Sequence, residues 1–478
     1  MDGPTALLVT LVIYKVLLLS IGAWASRRSR DGAEFYLGGR GLGPWVASIS
    51  AAASSSSAWS LLGVSGAAFA GGLSAIWIFP ACLGGFVLNW FVVARPMRRL
   101  SLEQGSVTLT EMLADGAPPR LARAITISAS IVVLLSLGTY VASQFQAAGK
   151  TFAETLDMEM GQAVLVGGGI VLLYTMSGGF WAASISDLIQ GLVMAVAAVI
   201  VPIAALIEVG GVGAMLDGLD ARGLGDPFRG EAGWAALGLV AGFLGIGLGY
   251  PGQPHVVNRF MAIRSERDLK VGTWISIVWA VLMYAGMLTA GWCGRVLVEQ
   301  LADGEGVLLR LTTDLFPPVA AGVLVAAVLS AIMSTADSQL LVCGATVAHD
   351  LPHRGSAQRV GLDRLAIVGI SLAAIVAALT VTETIFAQVL FAWSALGAAF
   401  GPLVLCRVLR GPVRPGYALS SIWVGFAVTL IWFFTPVLKG ALYELIPAFF
   451  AAAVPAWLGS RAGRAGNVPD VGSPPAEA

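Results

Sequence analysis

Apolar stretches long enough to cross a bilayer recur along the whole chain, and hydrocarbon leaves few options for what they become. Backbone N–H and C=O groups find no water at that depth, so each stretch is expected to close its own hydrogen bonds as a helix. Counting runs of roughly 17 to 25 mostly apolar residues gives about thirteen spans. Their limits fall near 6–26, 44–71, 74–96, 123–148, 161–181, 185–208, 233–254, 270–297, 319–347, 364–381, 384–406, 416–436 and 440–459. With 57% hydrophobic and 12% charged residues and a mean hydropathy of +0.82, a water-soluble globule of this length is excluded. The expected fold class is an all-α polytopic membrane protein.

The loops orient the bundle. Arg27, Arg28, Arg30 and Arg40, then Arg95, Arg98, Arg99, Arg120 and Arg123, then Arg259, Arg264, Arg267 and Lys270 fall on one side. Arg354, Arg359, Arg364, Arg407, Arg410, Arg414, Arg461 and Arg464 follow on that same side, against Lys150, Arg222, Arg229, Arg295 and Lys439 on the other. The positive-inside bias then puts the N-terminus outside and the C-terminus in the cytoplasm, with the chain multi-pass in the cell (inner) membrane. The first stretch resembles a secretory signal near Ala23-Trp24-Ala25, but its basic residues follow it rather than precede it, so it reads as an uncleaved helix. The formal net charge is zero with no basic face, which gives nucleic-acid binding no support. Cys82, Cys293, Cys343 and Cys406 show no metal or redox spacing and read as packing residues. Lys15, inside the first stretch, is expected to snorkel toward a membrane face. The segment 210–231 is expected to be a connection, and the tail 461–478 to be disordered.

Inside the ninth stretch lies Ser330-Ala331-Ile332-Met333-Ser334-Thr335-Ala336-Asp337-Ser338-Gln339. Ser330, Ser334, Asp337 and Ser338 share a helical stripe, since residues three and four apart are neighbours. A carboxylate in mid-bilayer costs roughly 2.5 kcal/mol or more and needs a partner, water or a cation. Oxygens without His or Cys suit a hard cation. A helix interface glued by small polar residues would explain single serines there, but not the run with its acid. Two further stretches should break in mid-membrane: the second, through Ala51 to Trp59, and the seventh, through Gly242 to Pro254. Freed carbonyls at that depth are tolerated only where they line a cavity. Five helices apart, these two stretches are counterparts if a five-helix unit is used twice with inverted topology.

These residues resemble the sodium/solute symporter family, most nearly its sodium/proline branch. The likeness rests on Leu37-Gly38-Gly39-Arg40-Gly41-Leu42-Gly43-Pro44, Ser50 to Trp59, Ser177-Gly178-Gly179-Phe180 through Asp187, Gly249 to His255, and Ala331 to Leu341. It implies a LeuT-like core of two inverted five-helix repeats with broken second and seventh helices. The corresponding division is 1–43 for the first helix and loop, 44–208 for the first repeat, 233–410 for the second, 411–460 for two C-terminal helices and 461–478 for the tail. The resemblance also implies a sodium ion held by the carbonyls of Ala53, Ser56 and Ala331 and the hydroxyls of Ser334 and Thr335. A small organic solute would lie beside it near Ser57, Trp59, Tyr140, Ile246, Tyr250 and Pro254.

Two departures stand out. Ser55 occupies a position where the branch is expected to carry an acid, whereas Asp337 occupies one where a small hydroxyl residue is expected. Asp337 either supplies the charge that Ser55 lacks or joins Asp187, Ser334 and Ser338 in a second cation site. Asp187 alone could equally be an acid satisfied by a loop arginine. Ile246 replaces a Trp of that branch, which alters a proline-shaped cavity. The expected function is sodium-coupled import of proline or a related amino acid or carboxylate by alternating access. A proton-coupled symporter and a transporter-like sensor are the alternatives. No His-Glu-x-x-His pattern or nucleophile elbow accompanies His255, His349 and His353, so an enzyme is not expected. The expected partners are the solute and membrane lipid, with no obligate protein partner.

Overall fold

The computed structural model describes residues 3–26, 37–176, 179–352 and 360–466. Arg27, Arg28, Arg30, Ser177, Gly178, His353, Arg354, Arg359 and the end of the tail lie outside the described residues. The helices in chain order are α1 (Gly3–Ser26), α2 (Pro44–Ser55), α3 (Val64–Gly71), α4 (Ile78–Val87), α5 (Ala94–Gln104), α6 (Leu109–Ala114) and α7 (Pro119–Leu156). They continue as α8 (Met160–Met176), α9 (Phe180–Val209), α10 (Val212–Asp220), α11 (Gly233–Leu244), α12 (Pro254–Ala262), α13 (Glu266–Leu297) and α14 (Val307–Leu315). The last are α15 (Pro318–Ala345), α16 (Val360–Thr380), α17 (Ile385–Arg410), α18 (Pro415–Phe434), α19 (Pro436–Ala441) and α20 (Leu445–Gly466). Nine helical segments of the described residues are long and apolar enough to cross a membrane.

Both expected breaks are present in the backbone. Helix α2 starts on Pro44, whose missing N–H costs nothing at a helix start, and stops at Ser56 with φ −112° and ψ 64°. The chain resumes as a wide π turn over Trp59–Gly63 before α3. After α11 the chain tightens into 3₁₀ turns over Gly245–Gly252, turns extended at Gln253, and restarts as α12 on Pro254. Pro251 and the run of glycines explain this, since proline removes a helical donor and glycine removes the side chains that would hold a regular turn. Gly249 is required for packing as well: a Cβ there would lie 2.0 Å from the Trp393 Nε1 on α17.

Helix α15 runs through the middle of the bundle and is the most enclosed of the apolar helices, 83% of its most apolar window being buried. Around it pack α1, α2, α7, α8, α9 and α16. The segment 210–231 is a packed connection, containing α10 and a Leu73 N–H donated to the Leu224 carbonyl at 2.8 Å.

Three cations depart from the sequence reading. Arg259 is not in a loop but on α12, 2% exposed, because the helix restart at Pro254 carries it into the bundle. Lys150 likewise sits within α7, paired with Asp303 and, at 3.5 Å, with Glu305. Lys15 does not snorkel: its ammonium abuts the Met333 thioether on α15.

Candidate functional site

At the break of α2, carbonyls that would be bonded in a continuous helix face hydroxyls of α15. Ser334 Oγ lies 3.3 Å from the Ala53 carbonyl and 3.3 Å from the Ala331 carbonyl. Thr335 Oγ1 lies 3.1 Å from the Ser54 carbonyl and 3.5 Å from that of Ala53. Ser56 closes the turn by donating its N–H to Ala53 at 3.2 Å. The whole group is buried. Ala53, Ala331, Ser334 and Thr335 are thereby brought together as a cluster of uncharged oxygens, with Ser56 at its edge. Such a set matches the preferences of a small hard cation.

The stripe predicted on α15 fans out toward several neighbours. Ser330 meets Tyr14 on α1. Asp337, 4% exposed, lies near Thr175 on α8, whose hydroxyl donates to the Val171 carbonyl at 3.1 Å, with Asp187 and Arg259 within electrostatic reach. Ser338 accepts from Arg259 Nη2 at 2.5 Å and donates to the Ser334 carbonyl at 2.7 Å. Asp187 is taken by the same guanidinium at 2.9 Å and by the Ser50 hydroxyl at 2.7 Å. A buried guanidinium, rather than a loop arginine, therefore pairs with Asp187 through Oδ2, and Oδ1 is left buried without a partner among the described residues. Arg259 was missed because a single basic residue seven positions past a glycine run looks like the start of a cytoplasmic loop.

Next to the break lies a small cavity of about 10 Å³, lined by Ser55, Trp59, Tyr140, Ile246, Tyr250, Val389, Leu390 and Trp393. Tyr140 Oη donates to Ser57 Oγ at 3.1 Å, and the Trp59 N–H donates to the same hydroxyl at 3.1 Å. Ser57 thus fixes the wall rather than lining it. The Tyr250 hydroxyl lies 3.0 Å from that of Tyr284, and its ring meets Trp393 edge-on at 4.7 Å. Pro254 is not among the lining residues; it is buried at the start of α12, where its role is to restart the helix.

Sequence reasoning missed Trp393. Its indole donates to the Ile246 carbonyl at 3.0 Å and stands in the cavity wall beside Ile246. An aromatic surface is therefore present on that side despite Ile246, supplied from another helix. Phe386 was missed as well; it stacks on Trp59 with centroids 5.3 Å apart. Its N–H and that of Ile385 are held at 2.8 and 3.1 Å by the Glu305 carboxylate. Single aromatic residues in apolar helices carry no local signal that separates a cavity wall from packing.

A broken helix whose freed carbonyls face buried hydroxyls, with an aromatic cavity alongside, defines a membrane transporter for small cargo. The chain belongs to the sodium:solute symporter family, whose model matches residues 35–425. It is 36% identical to the high-affinity proline transporter PutP of Bacillus subtilis (strain 168) over 91% of this chain and 93% of that protein. It is 33% identical to the sodium/proline symporter of Escherichia coli (strain K12) over 94% of this chain and 92% of that one. Among solved structures it is similar to the substrate-bound outward-open state of a sodium-coupled sialic acid symporter. That likeness has a TM-score of 0.79 at 17% identity, covering 96% of this chain and 98% of the other. A structure of MhsT with L-phenylalanine is similar at a TM-score of 0.51 and 14% identity, over 86% and 97% of the two chains. These two show a shared fold. The protein is a multi-pass sodium-coupled solute symporter, not an enzyme.

Proposed function

We propose that the chain imports proline, or a closely related amino acid or carboxylate, together with sodium. The observation that carries this reading is the approach of the Ser334 and Thr335 hydroxyls to the Ala53 and Ser54 carbonyls across the break of α2. Sodium binds there, with the carbonyls of Ala53, Ser56 and Ala331 and the two hydroxyls as ligands. The names of the similar proline transporters support proline as the solute. The convergence of Trp59, Tyr140, Tyr250 and Trp393 on one small cavity supports a small, compact molecule held among aromatic rings.

In this reading the chain has thirteen membrane helices, its N-terminus outside and its C-terminus in the cytoplasm of a cell bounded by that inner membrane. Residues 44–208 and 233–410 form the two inverted repeats, 1–43 precedes them, 411–460 adds two helices and 461–478 is the tail. Lipid surrounds the bundle and no obligate protein partner is required. Asp187, through Oδ2, and Ser338 belong to the Arg259 network, while Asp187 Oδ1 and Asp337 are the oxygens there that a second cation would use.

Sodium ties α2 to α15 and completes the cavity wall, since Ala53 and Trp59 flank the same break. Coupling is then reciprocal: sodium raises solute affinity by the factor by which solute raises sodium affinity. Each net charge carried inward contributes about 2.3 kcal/mol per 100 mV of membrane potential. Uptake of labelled proline into proteoliposomes under separately imposed sodium, proton and potassium gradients tests the reading. Uptake driven by sodium is expected; stimulation by protons alone would overturn it.

A further inference from the structure

Lys15 stands near the middle of the 24 residues of α1, its backbone about 17 Å from either end of that helix. An ammonium at such depth is costly unless an acid or water meets it. Among the described residues no carboxylate pairs with it; the Met333 thioether abuts it and the Tyr14 ring lies 6.0 Å away. Nor is the side chain wedged in place. It borders a cavity of about 330 Å³ whose other lining residues, among them Leu11, Tyr174, Leu329 and Met333, carry no charge.

One turn along α15 stands the opposite imbalance. Asp337 and Asp187 lie within electrostatic reach of each other and of a single cation, Arg259. That guanidinium is bonded to Asp187 Oδ2, Ser50, Ser338 and the His255 carbonyl, and Asp187 Oδ1 is left unpaired among the described residues. With both acids ionised, this group carries one negative charge in excess, while Lys15 carries a positive charge without an acid. Met333 and Asp337 are four residues apart, about 5–6 Å at Cβ, and helical side chains lean toward the N-terminus, which brings Asp337 toward Met333. Tyr174 joins the two regions: it lines the cavity and is within electrostatic reach of both Asp337 and Tyr14.

We propose that Lys15 is a tethered cation that competes with sodium for Asp337. Its flexible four-carbon stem swings the ammonium through the cavity from Met333 to the carboxylate. A sodium ion at the Ser334 cluster, beside that carboxylate, repels it back toward Met333. In the ion-free carrier the chain's own ammonium then neutralises Asp337, which spares the protein an uncompensated buried charge as it returns to pick up the next ion. The inference rests on the reading of the Ser334 cluster as the sodium site.

The test is an equilibrium sodium titration of the purified protein without solute, followed by tryptophan fluorescence. Native protein is compared with Lys15→Met, Lys15→Arg, Asp337→Ser and the double variant Lys15→Met with Asp337→Ser. Methionine keeps an unbranched side chain in the cavity and removes the charge. Lys15→Met is expected to lower the sodium needed for half-saturation about tenfold, within the usual span of coupling between two ligands of one protein. Lys15→Arg, which keeps the charge, should not lower it. In the Asp337→Ser background Lys15→Met should change nothing, because the carboxylate contested by the two cations is gone. A sodium curve unmoved by Lys15→Met, moved equally in both backgrounds, or moved as far by Lys15→Arg would overturn the proposal. Ser334→Ala separates the two readings. If it leaves the sodium curve in place, the ion is not at this cluster and both fall; if it shifts the curve while Lys15→Met does not, only the inference about Lys15 falls.

Discussion

The Asp187 carboxylate and the Arg259 guanidinium meet at 2.9 Å with both side chains buried, joining α9 to α12 in the middle of the bundle. Desolvation of two charges offsets most of their attraction, so the pair as a whole adds little stability. Removing one member is different, because it strands the other charge. Asp187→Ala and Arg259→Ala are each expected to cost about 3–5 kcal/mol, while the joint replacement of both by leucine costs much less. Thermal unfolding of the purified protein in detergent checks this. Strictly additive losses in the double variant would show that the two residues do not act as a pair.

The Ser334 and Thr335 hydroxyls both approach one carbonyl, that of Ala53, at 3.3 and 3.5 Å. Each lost ligand is expected to weaken sodium binding by about 1.4 kcal/mol or more, a tenfold rise in the sodium needed for half-maximal uptake. Ser334→Ala and Thr335→Ala should both show it, and Thr335→Ser should not. Initial uptake rates measured across a sodium series give the answer, and a sodium curve unmoved by either alanine would remove the ion from this cluster.

Both helix breaks could be anticipated because their causes are local: four consecutive serines after Ala53, and Gly245, Gly247, Gly249, Pro251 and Gly252 within one stretch. The meeting of α2 with α15 was expected from the family resemblance, not from the residues alone. What could not be read was which neighbour each oxygen meets. Ser330, Asp337 and Ser338 share a helix with Ser334 yet face α1, α8 and α12, and only the packing of helices distant in sequence decides that. Arg259 and Lys150 were misplaced for a related reason. Hydropathy marks where a segment is apolar, whereas helices here continue past those limits and carry their cations inward to acids 72 and 153 positions away.

Trp393 contributes the aromatic wall on the side where Ile246 stands, and its N–H is fixed by the Ile246 carbonyl. Trp393→Ala removes the edge-on contact with Tyr250, worth about 0.5–1.5 kcal/mol beyond area, together with the indole surface itself. Its KM for the transported amino acid should rise about tenfold or more, with the sodium dependence at saturating solute unchanged. Kinetics of uptake at fixed high sodium, followed by a sodium series, separate the two effects. A shift confined to the sodium curve would place Trp393 outside the solute cavity.

Asp337 raises the question of where the negative charge near the ion comes from. Ser55, which lines the cavity, donates to the Ala52 carbonyl at 2.9 Å and brings no charge. Asp337 stands three residues after Ser334, and neighbours at that helical spacing are about 5–6 Å apart at Cβ. A carboxylate on the neighbouring turn attracts a cation at the Ser334 cluster through the low-dielectric interior. It need not be a ligand to matter, and it lies near Thr175 on α8. Asp337→Asn should therefore raise the sodium requirement at least tenfold while proline affinity at saturating sodium stays near native. Adding Ser55→Asp to Asp337→Ser tests whether position or charge is what counts. Recovery of sodium affinity in that double variant means that one negative charge near the break suffices from either helix; continued loss means that Asp337 acts through its own neighbours on α8 and α12. An Asp337→Asn protein with native sodium dependence would remove the carboxylate from coupling altogether.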